Sequence, residues 1–257
     1  MNKMEVLTKL LELGEAFTIQ EALDHLKIDR NLMKYYLKTL SEAGFIKRIG
    51  RGIYASTPDP NEPPSVHEFV LASLFVKPSA VAYWSALNYY GLTEQIPNIT
   101  FVQTPRKRGY EKIVEFNNRK FKIVTVKPSK FFGLNTVKIG RRKVNITDPE
   151  KTIVDCLDKP RYCGGIIEVV KALKNASFNQ KKLLEYAQRM ENKAILKRLG
   201  YISERLGLGL EEKIQLSDKD RRSFSLLDPA MPAKGKFNYK WGLLVNVPED
   251  YWEELEW

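Results

Sequence analysis

The stretch Asn145-Ile146-Thr147-Asp148-Pro149-Glu150-Lys151-Thr152-Ile153-Val154-Asp155-Cys156 holds three carboxylates, a lysine, two threonines and a cysteine within twelve residues. Such a cluster suits either metal-assisted hydrolysis or the start of a helix. A metal-dependent nuclease of the restriction type needs a carboxylate followed by Glu-x-Lys on a strand. Here Glu150 and Lys151 are adjacent, and Pro149 favours the first turn of a helix. Two caps fit: Thr147 with Glu150 as a capping box, or Asp148 as N-cap with Pro149 at the first helical position. Sequence leaves both open. Either way the acids lie at the positive end of the helix dipole, where they stabilise it. Lys151 and Asp155 stand four apart, the spacing of an intrahelical pair.

Other reactive residues are sparse. The two histidines, His25 and His67, have no Gly-x-Ser-x-Gly or cysteine partner pattern beside them. Phosphate-binding G-x-x-x-x-G-K-[ST] and dinucleotide-binding G-x-G-x-x-G patterns do not occur; Gly207-Leu208-Gly209 is half of the latter. Cys156 and Cys163 are too few for a disulfide framework or a four-cysteine zinc site. The expectation is no enzyme, no cofactor and no metal, with Thr147, Asp148 and Glu150 serving as a structural cap.

The elements that frame this stretch begin with a three-helix rhythm. Val6, Leu7, Leu10, Leu11 and Leu13 give one apolar helical face. Thr18-Ile19-Gln20-Glu21 is a capping box that opens a second helix through Leu26. Asp29 caps a third over residues 30–43, ended by Gly44. Two short strands, 45–49 and 53–55, flank Gly50-Arg51-Gly52. This order predicts a winged helix-turn-helix over residues 1–58. On its third helix Met33, Tyr36, Leu37 and Leu40 should face the core. Asn31, Lys34, Tyr35 and Lys38 form the opposite stripe, which has no acid. An amide pairs with adenine edges and lysines reach guanine or phosphate. Lys47, Arg48 and Arg51 would lie along the backbone or minor groove. Some winged helices bind protein instead; the acid-free stripe and the Arg-Gly wing tip favour double-stranded DNA.

Residues 59–64, Asp-Pro-Asn-Glu-Pro-Pro, read as a linker. Beyond it, residues 65–257 predict a mixed α/β domain, so the fold class expected is α+β. A helix opened by Ser65 and Glu68 runs to Val76, and another runs from Ser79 to Gly91, whose Tyr83, Trp84, Tyr89 and Tyr90 read as packing. From Ile99 the apolar period becomes two, with hairpins around Asn117-Asn118 and Gly140-Arg141. Helices follow over 149–157, 165–175, 180–190 and 193–206, then a strand over 241–246.

Net charge is +11, and residues 101–143 carry 13 basic against two acidic side chains. The first 58 residues hold only +2. That block therefore predicts a phosphate-binding patch of Arg106, Lys107, Arg108, Arg141 and Arg142 that supplements the wing. With no run of 18 apolar residues and no signal-peptide pattern, a cytoplasmic protein without membrane contact is expected.

The N-terminal pattern, SALNYYGLTEQIP, ITDPEKTIVDCLDKPRYCGG, LKRLGYISERLGL and LLDPAMPAKGKFNYKWGLLVN occur in that order along nearly the whole chain. Taken together they resemble the AbiEi family, antitoxins and transcriptional regulators of phage-defence toxin–antitoxin systems. The resemblance implies a repressor that binds inverted repeats in its own promoter. It also implies a C-terminal domain that counters a nucleotidyltransferase toxin without a stable complex. The rivals are a module that holds the toxin directly, and a nuclease using Asp148, Glu150 and Lys151.

Overall fold

In the computed structural model, which describes residues 1–62, 64–107, 112–116 and 118–253, helices and several sheets are mixed along the chain. The N-terminal unit comprises α1 (Lys3–Glu12), β1 (Ala16–Thr18), α2 (Ile19–Leu26), α3 (Arg30–Glu42), β2 (Ile46–Gly50) and β3 (Ile53–Ser56). Strand β1 was not anticipated; it pairs antiparallel with β3, giving the order β1-β3-β2. The three-residue stretch Ala16–Thr18 is too short to show a period. The capping box at Thr18 and Glu21 forms as expected, and Asp29 caps α3. Val6, Leu7, Leu10, Phe17, Met33, Leu37 and Leu40 close the core of this unit.

The second unit contains α4 (Glu68–Phe75), β4 (Ala80–Val81), α5 (Tyr83–Tyr89), β5 (Ile99–Thr104), β6 (Lys112–Phe116), β7 (Arg119–Thr125), β8 (Leu134–Ile139) and β9 (Arg142–Thr147). Its six-stranded sheet runs β6-β7-β5-β4-β9-β8, with both hairpins as expected. Two expectations shift. The N-cap of α4 is His67, whose Nδ1 accepts from the Phe69 amide at 3.1 Å, and not Ser65. The segment after Ser79 first adds β4 to the sheet before α5 begins, because Ala80 and Val81 pair with Gln103 and Val102.

Below one sheet face lie α6 (Pro149–Asp158), α7 (Ile166–Asn175), α8 (Gln180–Arg189) and α9 (Lys193–Leu206). They share a core with Phe101, Val124 and Val126 of the sheet side. The chain ends in α10 (Asp218–Arg222), a small sheet of β10 (Ser225–Leu226), β11 (Lys236–Asn238) and β12 (Leu243–Val245), and α11 (Asp250–Glu253). That sheet has the order β10-β12-β11.

Of the linker expected at residues 59–64, Pro63 lies outside the described residues. Ala16, Ile49, Ile53 and Ala55 of the first unit belong to one buried cluster with Phe69, Val70, Phe121 and Ile146 of the second. Their partners come from α4 and the large sheet, tens of residues away. Among the described residues no helix is long and apolar enough to cross a membrane.

Candidate nucleic-acid interface

Helix α3 presents two chemically opposite faces. Met33, Tyr36, Leu37 and Leu40 are buried. Asn31, Lys34, Tyr35 and Lys38 are all exposed. The start of the helix is fixed by Asp29, whose Oδ1 accepts from the Asn31 and Leu32 amides at 2.8 and 3.0 Å. Tyr36 donates to the Met1 carbonyl at 2.5 Å and stands edge-on to Tyr35 at 5.6 Å between centroids. Tyr35 is thereby propped outward, 60% exposed. Lys38 reaches only to 3.9 Å of Glu42, a solvated pair of little energetic weight. Arg30, exposed at the first turn, was overlooked; its place directly after the cap was the signal for it.

The β2-β3 hairpin carries Lys47, Arg48 and Arg51, all exposed. A register shift between Arg48 and Gly50 interrupts the pairing of β2 with β3. Lys47 and Arg48 precede that shift in consecutive regular pairs with Ala55 and Tyr54, so they point to opposite faces of this edge strand, and both are exposed. Arg48 Nε donates to the Gly50 carbonyl at 3.2 Å, at the tip of the hairpin.

The basic block of 101–143 does not form one patch. The β6-β7 hairpin lies at one end of the sheet and β8-β9 at the other, with β5 and β4 between. From β7 to β9 is three strand spacings, roughly 14 Å, beyond the ~10 Å over which surface charges act together at moderate salt. Several of its cations also have acidic partners: Lys120 with Glu115, Arg119 with Glu68 and Lys130 with Asp158. Sequence proximity overstated the footprint because sheet order separates consecutive hairpins.

Within that block Arg106, Arg141 and Arg142 do come together, lining a groove of about 770 Å³ between the two units with Lys77, Lys143, Glu12 and Glu21. Lys107 follows Arg106 and is exposed; Arg108 lies outside the described residues. The phosphate role expected of Arg142 conflicts with its contacts, whereas Arg141 remains exposed. Arg141 Nη1 donates to the Leu11 carbonyl at 2.9 Å, and Arg142 Nη1 to the Leu13 carbonyl at 3.1 Å. Those carbonyls lie at the C-terminal end of α1, at its negative pole, and that of Leu11 also accepts from the Gly14 amide at 3.1 Å. Arg142 Nη2 also donates to Glu21 Oε1 at 2.8 Å, and Lys77 Nζ to the same atom at 2.7 Å. With its side chain 13% exposed, Arg142 is a strut between units and offers no free fork to phosphate. Burial pushes the Glu21 carboxyl up, but hydrogen bonds from Lys77, the Thr18 amide and Arg142 outweigh it and bring it down to about 2. Glu21 and Lys77 were not anticipated in this role.

The carboxylate stretch resolves into a cap and its supports. Asp148 is the N-cap of α6, with Pro149 in the first turn; its Oδ1 accepts from the Lys151 amide at 2.8 Å. Thr147, the other candidate cap, instead shares a hydroxyl hydrogen bond of 2.7 Å with Thr152. Glu150 reaches away to the Asn179 amide at 2.9 Å and to Lys182 Nζ at 2.8 Å. Lys182 also lies 3.1 Å from Asp148 Oδ2, which accepts from the Tyr186 hydroxyl at 3.2 Å. Burial raises the Glu150 carboxyl, and the Lys182 and Asn179 donors outweigh this, so it is lowered. The Lys151 amine turns into the core, over the Phe132 ring at 4.9 Å, and pairs with Asp155. Asp155 Oδ2 has no hydrogen-bond partner, and burial raises this carboxyl despite the pull of Lys151. Asp148 and Glu150 therefore converge on a lysine, while the Lys151 amine is directed elsewhere. Among the described residues no group of three or more His, Cys, Asp or Glu side chains is placed to hold a metal ion. Cys156 and Cys163 are free and buried.

Comparison of the chain with protein-family models and with curated proteins found no match.

Proposed function

We propose that the chain is a DNA-binding transcriptional repressor that acts as the antitoxin of a toxin–antitoxin operon, with residues 1–58 as a winged helix-turn-helix. The carrying observation is α3: four exposed residues without an acid, Asn31, Lys34, Tyr35 and Lys38, back onto four buried apolar ones. A helix that presents amide, amine and phenol groups outward, beside a wing with three exposed cations, has the chemistry of major-groove reading with backbone support. The AbiEi-like sequence pattern supports the second half of the reading, a role against a nucleotidyltransferase toxin encoded beside it. No catalytic residue, metal or cofactor belongs to this proposal. The nuclease rival is disfavoured because Asp148 and Glu150 share Lys182 and Lys151 is held by Asp155.

The test is a gel-shift titration of the full chain on its own promoter, with Asn31→Ala/Lys34→Ala as the variant. Each lost base contact should weaken specific binding by about 1–3 kcal/mol, with unchanged melting. Equal shifts by the variant and the native chain would sink the assignment. Rescue of cells that express the neighbouring toxin tests the antitoxin half separately.

A further inference from the structure

The groove between the two units is unevenly charged. Glu12 and Glu21 stand on its first-unit wall, and Lys77, Arg106, Arg141, Arg142 and Lys143 on the other. Both carboxylates are already engaged. Glu21 accepts from Lys77 at 2.7 Å and from Arg142 at 2.8 Å, and Glu12 lies 2.9 Å from His25 Nε2. Arg106, Arg141 and Lys143 are left over: all three are exposed, and none has a carboxylate partner among the described residues. Arg141 uses one guanidinium donor on the Leu11 carbonyl.

Strand order brings these cations together. Arg106 follows the end of β5, Arg141 and Lys143 flank the start of β9, and only β4 lies between the two strands. Two strand spacings are about 10 Å, within the distance over which surface charges act together at moderate salt. Lys143 also stands directly opposite Lys138 of β8, which is exposed and likewise has no carboxylate partner among the described residues. Like charges directly opposite each other destabilise a strand pair. This end of the sheet therefore holds positive charge that the chain itself does not offset.

We propose that the groove binds a small ligand through a di- or triphosphate chain held by Arg106, Arg141 and Lys143. Guanidinium and ammonium groups are the side chains suited to phosphate oxygens, and a concave wall lined by one sign of charge focuses the field on an anion. A groove of about 770 Å³ has the size of a small-molecule site, and a single phosphate would fill little of it. The cations stand on one wall only. A ligand of the groove's own size keeps its charge against that wall, whereas a duplex laid across both units would bring phosphates over Glu12. The inference does not rest on the promoter reading; Arg106 is shared with that reading, and Lys143 is not.

The experiment is isothermal titration calorimetry of the full chain with ATP, with inorganic diphosphate and with adenosine. ATP and diphosphate should bind, more weakly as salt rises, and adenosine should not. Diphosphate binding as tight as that of ATP would make the phosphate chain the whole ligand; clearly tighter ATP would make the ligand a nucleotide. Arg106→Ala/Lys143→Ala should weaken ATP binding at least about tenfold, and Lys143→Arg should preserve it. If the double variant melts early, Lys143→Ala alone serves, since that side chain is exposed and unpaired. Lys234→Ala removes the same charge outside the groove and should bind as the native chain does. No binding of ATP or diphosphate, adenosine binding as tight as that of ATP, or an equal loss in Lys234→Ala would each overturn the proposal. A double variant that binds ATP like the native chain and loses only duplex DNA would assign these cations to DNA and overturn it as well.

Discussion

Arg142 donates to Glu21 at 2.8 Å, from the first residue of β9 to the first turn of α2. Glu21 also closes the capping box, accepting from the Thr18 amide at 2.8 Å and the Thr18 hydroxyl at 3.0 Å. One carboxylate thus fixes where α2 begins and how its unit sits on the large sheet. Helix α3 follows α2 after three residues, so its orientation is set partly by a contact between two residues 121 positions apart.

Because its folded value is depressed to about 2, Glu21 contributes stability that is present above its unfolded value of 4.5 and lost as pH falls toward 2. Glu21→Gln should cost on the order of 1–2 kcal/mol at neutral pH, reduced from the full linkage value by solvent screening. The gap between native and variant chains should close on acidification. Urea unfolding at a series of pH values measures it; a pH-independent gap would show that the charge of Glu21 is immaterial.

The groove cations divide into two kinds. Arg106→Glu/Lys107→Glu should leave melting unchanged and weaken promoter binding alike for all sequences. Each lost phosphate contact should lower the log–log salt slope by about 0.9. Arg142→Glu should instead lower the melting temperature, because it opposes Glu21 and strips an end carbonyl of α1. If Arg142→Glu melts as the native chain does and only DNA binding suffers, the strut role is wrong.

At the head of α6, Asp148→Asn keeps the cap but loses the ionic partner of Lys182, so a cost near 0.5–1 kcal/mol is expected. Asp148→Ala removes the cap as well and should cost about 1–3 kcal/mol. Chemical denaturation ranks the two. A loss of biological activity in Asp148→Asn without a loss of stability would point to chemistry at this carboxylate.

Lys151 and Asp155 are both buried, 0% and 1% exposed. Lys151→Met strands the carboxylate and should destabilise by about 3–5 kcal/mol. Lys151→Met/Asp155→Leu should recover most of that, since an apolar pair of similar volume escapes the desolvation penalty. A double variant as unstable as the single would mean that the pair's geometry, and not its charge balance, is what the core requires.

Local chemistry was legible in the sequence wherever the deciding atoms are near neighbours. The Thr18 capping box, the Asp29 cap, the two faces of α3 and both hairpins of the large sheet depend on contacts within a few residues, or on a side-chain period the chain displays directly. The opening stretch was half legible: a helix start was certain from Pro149 and the acids, but the choice of Asp148 over Thr147 came from tertiary partners. Tyr186 and Lys182 engage Asp148, and Thr152 draws the Thr147 hydroxyl inward. Charge was the least legible. A run of cations looks like one patch along the chain, yet β6-β7 and β8-β9 take opposite ends of a six-stranded sheet, and Arg142 is drawn to Glu21 and the end of α1. Strand order and the docking of the first unit on α4 rest on apolar contacts between distant segments, and a local pattern carries no record of which distant segment completes it.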